Sequence, residues 1–539
     1  MASSFFSNRF RGTALLAACL GLNSCVTFSP QDRNPSDLPV PEAYSLYSEA
    51  VPEPGAWWTS LGSEELNGLM ERALSDNFTI AQAAARIRQA DALLKQSRAP
   101  MLPAVNFGAD AELSRRGIDT GDSYELENST QRLSAISALV SGGGGGGAAG
   151  ATGLDAVGGA LRSARTRLGA LQTLLEDQPS GSSVSSADSY GLGLTASYEV
   201  DLWGRVRADA AAAADSLIAT TEDAYAALHS VAGQVALTWL DILSYEQIIA
   251  VTRAQAETNQ KNLELIELRY RSGLATALDV YQQRQAVADS EAALPLLEAR
   301  AALLRHSLAV LLGQPPKTEL PVASTEFPDA GALPETGLPA DLLARRPDVR
   351  AAGLRLRAAD WQVSAAQADR LPSLTLSAGA QLGAENIDLL FGNWLTTLAA
   401  SLTGPVFDAG RRQAEVERAR AAADERLAVY QQIVLNAVAE VEDALTLIDR
   451  QEAYIAALAK QREAAENAYR EALGRYRMGQ TDYLPVLTAL RNTQSLERAA
   501  VEAAHDRLAY RVQLHLALGG DWMSEKLATA KDFDGERSE

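Results

Sequence analysis

The sequence predicts an α+β membrane protein, in which a few short strands must close a barrel with other chains and very long helices continue it. Three observations predict this class. The first is a duplication: Arg475-Tyr476-Arg477-Met478-Gly479 has a twin, Arg269-Tyr270-Arg271-Ser272-Gly273, 206 residues earlier. The same offset pairs Gly204-Arg205 with Gly410-Arg411 and Leu312-Gly313 with Leu518-Gly519, so 204–313 recurs as 410–519 without net insertion or deletion. A period this long is an internal duplication, not a short-repeat solenoid. The second is two stretches, 205–271 and 411–477, that lack proline and hold one glycine each, Gly233 and Gly474. Ala, Glu, Gln, Arg and Leu dominate them, and all are strong helix formers. The third is a set of segments of about ten residues in which every second residue is apolar.

Taken in order, the chain begins with an export signal. Arg9 and Arg11 precede the apolar run Ala14 to Leu20, which is too short to span a bilayer. The two cysteines, Cys19 and Cys25, both lie here, so the remainder has neither a disulfide framework nor a cysteine metal site. Either can end a lipoprotein box, Leu16-Ala17-Ala18-Cys19 or Leu22-Asn23-Ser24-Cys25. The second leaves the longer apolar region before the cut, so lipidation is expected at Cys25. Residues 30–60 form a proline-rich linker, and a helical pattern runs from Glu64 to Arg98, ended by Pro100 and Pro103.

Strand patterning follows. Val105, Phe107, Ala109, Ala111 and Leu113 alternate with polar neighbours, as do Leu192, Leu194, Ala196, Tyr198 and Val200. Leu374, Leu376, Ala378, Ala380 and Leu382 repeat the pattern, and a looser version runs from Trp394 to Val406. A half-buried soluble strand looks the same. Four such segments flanking the long helices instead read as strands of an outer-membrane barrel. Four cannot close a barrel, and open edges are not tolerated in lipid. The barrel is therefore shared, as eight strands from a dimer or twelve from a trimer.

The first hairpin spans 101 residues from Pro103 to Gly204 and the second 38 from Pro372 to Gly410, which leaves 63 extra residues in the first. They include the six glycines Gly142 to Gly147, a flexible loop with no strand leading into it and no phosphate-binding Lys-Ser/Thr after it. Leu161 to Leu175 inside it has helical character.

Each long helix would run roughly 100 Å at ~1.5 Å per residue. Each carries an apolar seam spaced alternately three and four apart, from Leu217 to Ile249 and from Ala423 to Ile455. That 3.5-residue period predicts helices supercoiled side by side. Gly273 and Gly479 supply left-handed turns at the far ends, and a return helix follows each. The bland alternative, a soluble periplasmic coiled-coil scaffold, leaves the strands unexplained.

The expected domains are a signal peptide 1–24, a lipid-anchored linker 25–63 and a first repeat 64–313 with inserted loop 115–186. A crossover 314–345, a second repeat 346–519 and a tail 520–539 follow. The net charge of −20 argues against nucleic acid and anionic lipid headgroups as partners. His229, His306, His505 and His515 fit no metal spacing, and no GxSxG elbow is present. Glu440, Glu442 and Asp443 sit on a helix and read as solvated or lumen-facing. No catalytic residues, cofactor or metal are expected.

The sequence resembles the outer-membrane efflux factors, the TolC-like channels, in the lipoprotein branch serving resistance-nodulation-division pumps. The segments that carry the resemblance are 338–352 (LPADLLARRPDVRAA), 368–379 (ADRLPSLTLSAG), 198–205 (YEVDLWGR), 405–411 (PVFDAGR) and the paired RYRxG turns. It implies a homotrimer with a shared 12-stranded barrel, continued by a long helical coiled-coil periplasmic tunnel and an equatorial belt. It also implies a passive exit duct of a tripartite efflux pump, working with a periplasmic adaptor and an inner-membrane transporter. The alternative is the outer-membrane conduit of a type I protein secretion system. The resemblance places a periplasmic gate at Leu484, the constricting apolar ring. Relatives often have an aspartate four residues later; here it is Thr488, with Asp482 and Tyr476 as nearby polar groups. Adaptor docking falls on Gly273, Leu274 and Thr276 at one turn and on Gly479 and Gln480 at the other.

Overall fold

The computed structural model describes residues 55–117, 184–329 and 342–520, with Phe28, Ser29, Tyr44, Leu333, Pro334, Thr336, Pro339 and Trp522. Cys19, Cys25, the glycine run and the segment Leu161 to Leu175 lie outside the described residues. Helices α1 (Glu64–Asp76) and α2 (Phe78–Arg98) lead into strands β1 (Ala104–Gly117) and β2 (Val184–Val200). Then come α3 (Arg205–Arg271), α4 (Ala277–Leu311), a single turn (Leu342–Arg345) and α5 (Pro347–Ala368). Strands β3 (Ser373–Ala384) and β4 (Trp394–Thr403) precede α6 (Arg411–Arg477) and α7 (Tyr483–Leu518).

The duplication is written in the backbone. Helices α3 and α6 both have 67 residues. Six of the glycines with positive φ form three pairs 206 apart: Gly204 and Gly410 (φ 81° and 83°), Gly273 and Gly479 (72° and 73°), Gly313 and Gly519 (70° and 75°). Each starts or ends a long helix or ends a return helix, where only glycine takes positive φ at no steric cost.

Contacts divide the chain into two compact units. One, comprising 95–210 and 361–418 besides the N-terminal segment, contains the sheet. Its order is β1-β2-β3-β4, antiparallel throughout. Register aligns Val105, Ala196, Ala378 and Leu398 in one row and Ala109, Leu192, Leu382 and Trp394 in another. Paired residues share a face, so all four apolar sets fall on one side. The other side carries rows such as Asn106, Thr195, Gly379 and Thr397. Strands β1 and β2 run further than the alternation alone suggested, to Gly117 and from Val184, while 118–183 between them lie outside the described residues. The extension is continuous ladder pairing, from Arg115 with Ser186 to Gly117 with Val184.

At the sheet's helical end the two DxxGR-like motifs acquire a cause. Asp201 accepts from Val206 N (3.2 Å) and Arg207 N (2.9 Å), capping α3. Asp408 accepts from Gly410 N (3.1 Å) and Arg412 N (3.2 Å), capping α6. Orphan N–H groups at a helix start need such acceptors. The Trp203 indole donates to Pro372 O at 2.7 Å, pinning the Leu-Pro-Ser turn.

The second unit holds the helical cores. One surrounds α3 from Ala224 to Leu243 with Trp57, Trp58, α1, α2 and the ends of α4 and α7. The other surrounds α6 from Tyr430 to Ile448 with α5 and the end of α7. The predicted seam is buried in both: Leu228, Val235 and Ile242 in α3, Val434, Ala437 and Val441 in α6. A window of α3 is apolar enough, by length and composition, to cross a membrane. However, 56% of that window is buried inside the protein, so its apolarity is spent on the core.

One expectation is corrected here and one is extended. The pattern read as one helix from Glu64 to Arg98 breaks at Asn77, whose side-chain oxygen accepts from Thr79 N at 2.7 Å and starts a new helix. Its amide donates to Leu311 O at 2.7 Å, and Gly313 lies against Asp76 with no room for a Cβ. Glu440 is not merely solvated. Its carboxylate accepts from the Arg346 guanidinium (2.6 Å), which also grips Asp348 (2.8 Å) and donates to Ala517 O (3.1 Å). The RRPD segment thus ties α5 to α6 and to the end of α7. Further along, Arg350 and Arg357 of α5 pair with Glu222 (2.7 Å) and Asp215 (2.5 Å) of α3. The crossover is held by Glu65, which accepts from Trp239 (2.7 Å), Ala323 N (2.9 Å) and Ser324 N (3.0 Å). Burial alone would raise the Glu65 carboxyl, but these donors hold it below its usual range.

Candidate functional site: the paired helix turns

Both RYRxG turns close by one motif. Leu274 N donates to Arg269 O (2.8 Å) and Gly273 N to Tyr270 O (2.9 Å). Gln480 N donates to Arg475 O (2.9 Å) and Gly479 N to Tyr476 O (3.0 Å). These are Schellman caps, with glycine in the left-handed position. The return helices differ. Helix α4 starts with a capping box, Asp279 N to Thr276 Oγ1 (3.2 Å) and Thr276 N to Asp279 Oδ2 (2.9 Å). Helix α7 starts at Asp482, whose side chain accepts no capping bond.

The turns pack on one another. Ile266, Val280, Ala286, Tyr476, Tyr483, Val486 and Leu487 form one buried cluster. The rings of Tyr476 and Tyr483 lie 5.3 Å apart. Arg269 sits 4.6 Å above the Tyr476 ring and donates to Arg477 O at 3.1 Å, joining the end of α3 to the end of α6. Cation–π placement of this kind adds to the packing.

Behind the turns runs a buried polar ladder. Tyr483 Oη donates to Gln283 Oε1, and Gln283 Nε2 to Asn259 O (2.6 Å). Asn259 Nδ2 donates to Ser290 Oγ (3.2 Å), and Gln494 Nε2 donates to Asn259 Oδ1 (3.1 Å). Gln255 Nε2 then donates to Gln494 O (2.9 Å) and Glu497 Oε2 (2.7 Å). Gln283 is fully buried and Asn259 and Gln255 nearly so. Burial pushes the Tyr483 hydroxyl well above the usual tyrosine range, so it stays a donor.

The predicted gate residues separate into two environments. Tyr476 is buried in the cluster, whereas Leu484, in the first turn of α7, is 58% exposed. Thr488, one turn on, donates its hydroxyl to Leu484 O at 2.9 Å. Of the docking residues, Leu274 is 63% exposed, while Thr276 has its hydroxyl committed to the capping box. Gly273 and Gly479 have open space where a Cβ would stand. Gln283, Asn259 and Tyr483 were missed by sequence reasoning. The one available signal was polar residues recurring on the inner faces of helices otherwise read by their apolar seam.

Comparison with known proteins decides the family. A family model described as "Outer membrane efflux protein" matches residues 151–314 and 338–520. This chain belongs to the outer membrane efflux protein family. Among its relatives is the pyoverdine export outer membrane protein OpmQ of Pseudomonas aeruginosa, 32% identical over 97% of this chain and 99% of its own. The toluene efflux pump outer membrane protein TtgF of Pseudomonas putida is 32% identical over 94% of this chain and 96% of its own. The outer membrane protein VceC of Vibrio cholerae superposes with a TM-score of 0.68 at 26% identity, covering 87% of this chain and all of that one. As an outer membrane efflux protein, the chain is an outer-membrane channel component of an efflux pump with the α+β channel fold.

Proposed function

We propose that three copies assemble into a passive duct, closing a 12-stranded barrel and a helical tunnel. The observation that carries this reading is the sheet: among the described residues, four strands whose outer edges at β1 and β4 pair with no other strand, and one continuous apolar face. Such edges must be paired in lipid, and such a face belongs against it. Trp394 and Phe391, both largely exposed near the β3–β4 turn, suit the aromatic girdle at the membrane boundary. The chain is exported, cut before Cys25 and acylated there. Its mature N-terminus then tethers residues 25–63 to the outer membrane.

The duct works in a tripartite pump, powered by an inner-membrane resistance-nodulation-division transporter. A periplasmic adaptor docks on the turns at Gly273, Leu274 and Thr276 and at Gly479 and Gln480. Three copies of Leu484 converge and seal the resting tunnel by excluding water. Thr488 adds no charge repulsion against closure, and its hydroxyl is engaged with the helix backbone. Relatives named for pyoverdine and toluene export support a cargo of small molecules.

The test is single-channel recording in planar bilayers. Leu484→Ser raises conductance and makes cells leaky to large antibiotics. If Leu484→Ser changes nothing while substitution at Tyr476 or Asp482 raises conductance, the seal is a polar network at the turn instead.

A further inference from the structure

The duplication extends into the strands, at two different offsets. Gly204 after β2 recurs 206 residues later as Gly410, whereas Leu102-Pro103 before β1 recurs 269 residues later as Leu371-Pro372. Moving β1 by 269 and β2 by 206 carries the register of the first hairpin onto the second. Ala104 with Ser197 becomes Ser373 with Thr403, which is the pairing observed. The match holds to the last row, where Leu113 with Asp188 becomes Leu382 with Trp394.

The hairpins are thus equivalent, and β2–β3 is the joint between them. It sets Leu192 opposite Leu382, Leu194 opposite Ala380, Ala196 opposite Ala378 and Val200 opposite Leu374. A row climbs as it crosses. Ala104 opposes Ser197, and Ser197 opposes Ser377, four residues past Ser373, the counterpart of Ala104. An even climb keeps the apolar sets on one face. The outer edges, β4 and β1, are the same two strand types, and among the described residues they have no such joint. Exposure marks the difference: Leu192 is 7% exposed, and its counterpart Leu398 is 86% exposed. Val406 and Phe407 beyond β4, and Leu102 and Val105 at the start of β1, are largely exposed too.

We propose that β4 of one chain receives β1 of the next in the register of the chain's own β2–β3 joint. The inference rests on the shared-barrel reading above and specifies its seam. The two offsets set Leu398 opposite the partner's Leu113, Ala400 opposite the partner's Ala111, Leu402 opposite the partner's Ala109 and Val406 opposite the partner's Val105. Trp394 to Thr403 then run from the partner's Gly117 to the partner's Gly108, so no residue of β4 overhangs. Gly404 meets the partner's Phe107, small against large, and the Ser401 hydroxyl faces the partner's Asp110, an acceptor. A slip of two residues would keep the faces but break the equivalence of the joints around the barrel.

The experiment is disulfide cross-linking of the full-length protein in outer membranes, read on non-reducing gels. Within one chain β1 and β4 are opposite edges with two strands between them, so a bond between them joins two copies. A399C/E112C and, independently, S401C/D110C should give covalent dimers and trimers. Directly opposed Cα atoms lie ~4.5–5.5 Å apart, within disulfide range. A399C/D110C and A399C/S114C match the two slipped registers and sit ~7–8 Å apart in the proposed one, so they should bond several-fold less. Equal or preferential bonding of a slipped pair overturns the register and leaves the shared barrel intact. No bond between copies in any of the four would sink the shared barrel and this inference with it.

Discussion

Tyr483→Phe isolates the polar contribution to the packed turns. The ring stays, so its contacts with Tyr476, Ile266 and Val280 are kept. What goes is the donor to Gln283 Oε1, in a place where Gln283 is fully buried and no solvent replaces it. An unsatisfied buried acceptor costs about 1–3 kcal/mol. That energy corresponds to a roughly 5- to 150-fold larger population with the start of α7 detached. Amide hydrogen exchange in detergent or nanodiscs reads this directly. Protection over 483–490 should fall by that factor, while the α3 core from Leu228 to Leu243 is unchanged. Gln283→Leu in the same chain removes both partners and should restore most of the protection, because matched apolar replacements are nearly neutral. Unchanged protection at 483–490, or an equal fall throughout the helices, refutes the assignment of the ladder as the local fastening.

Other perturbations separate neighbouring effects. Gly479→Ala meets open space and strains only a φ of 73°, costing about 1–2 kcal/mol. Gly313→Ala strains a similar φ and also collides with Asp76 O, so its thermal midpoint should fall further; equal midpoints would deny the contact. Burial, reinforced by Arg511 and His229, pushes His515 down to about 4, from about 6.5 when unfolded. The stability it contributes is present above pH 6.5 and lost towards pH 4, about 3 kcal/mol in all, so His515→Phe should flatten that part of the acid melting curve. His505 is opposite in sign. Burial lowers it, but Asp241 (2.8 Å) and Asp506 (3.0 Å) outweigh burial and raise it, so its contribution fades as pH rises above about 6.5. The midpoint gap between wild type and His505→Gln should therefore narrow from pH 6 to pH 9.

The long helices were legible because their length comes from composition, and composition survives any packing arrangement. Strands were legible for a related reason: one apolar face in lipid enforces strict alternation, and the register aligns those faces row by row. The break at Asn77 was hidden because an asparagine cap needs neither glycine nor proline. The ladder was hidden because Gln283, Asn259 and Gln494 look, residue by residue, like solvated helix positions. Only pairing across helices 24 to 235 residues apart makes them a core. The repeat itself concealed another difference. Tyr270 and Tyr476 are equivalent by offset, yet the first is 49% exposed and the second 3%, so identical motifs do unequal jobs.

The level pairing of the two turns has an evolutionary cost. Arg269 reaches Arg477 O only because α3 and α6 have the same number of residues. Seven residues added to one helix alone would carry its turn about 10 Å past the other, breaking that bond and parting Ile266 and Val280 from Tyr476 and Tyr483. Helix length is therefore a paired trait: a heptad gained by α3 without its match in α6 forfeits the joint between the turns.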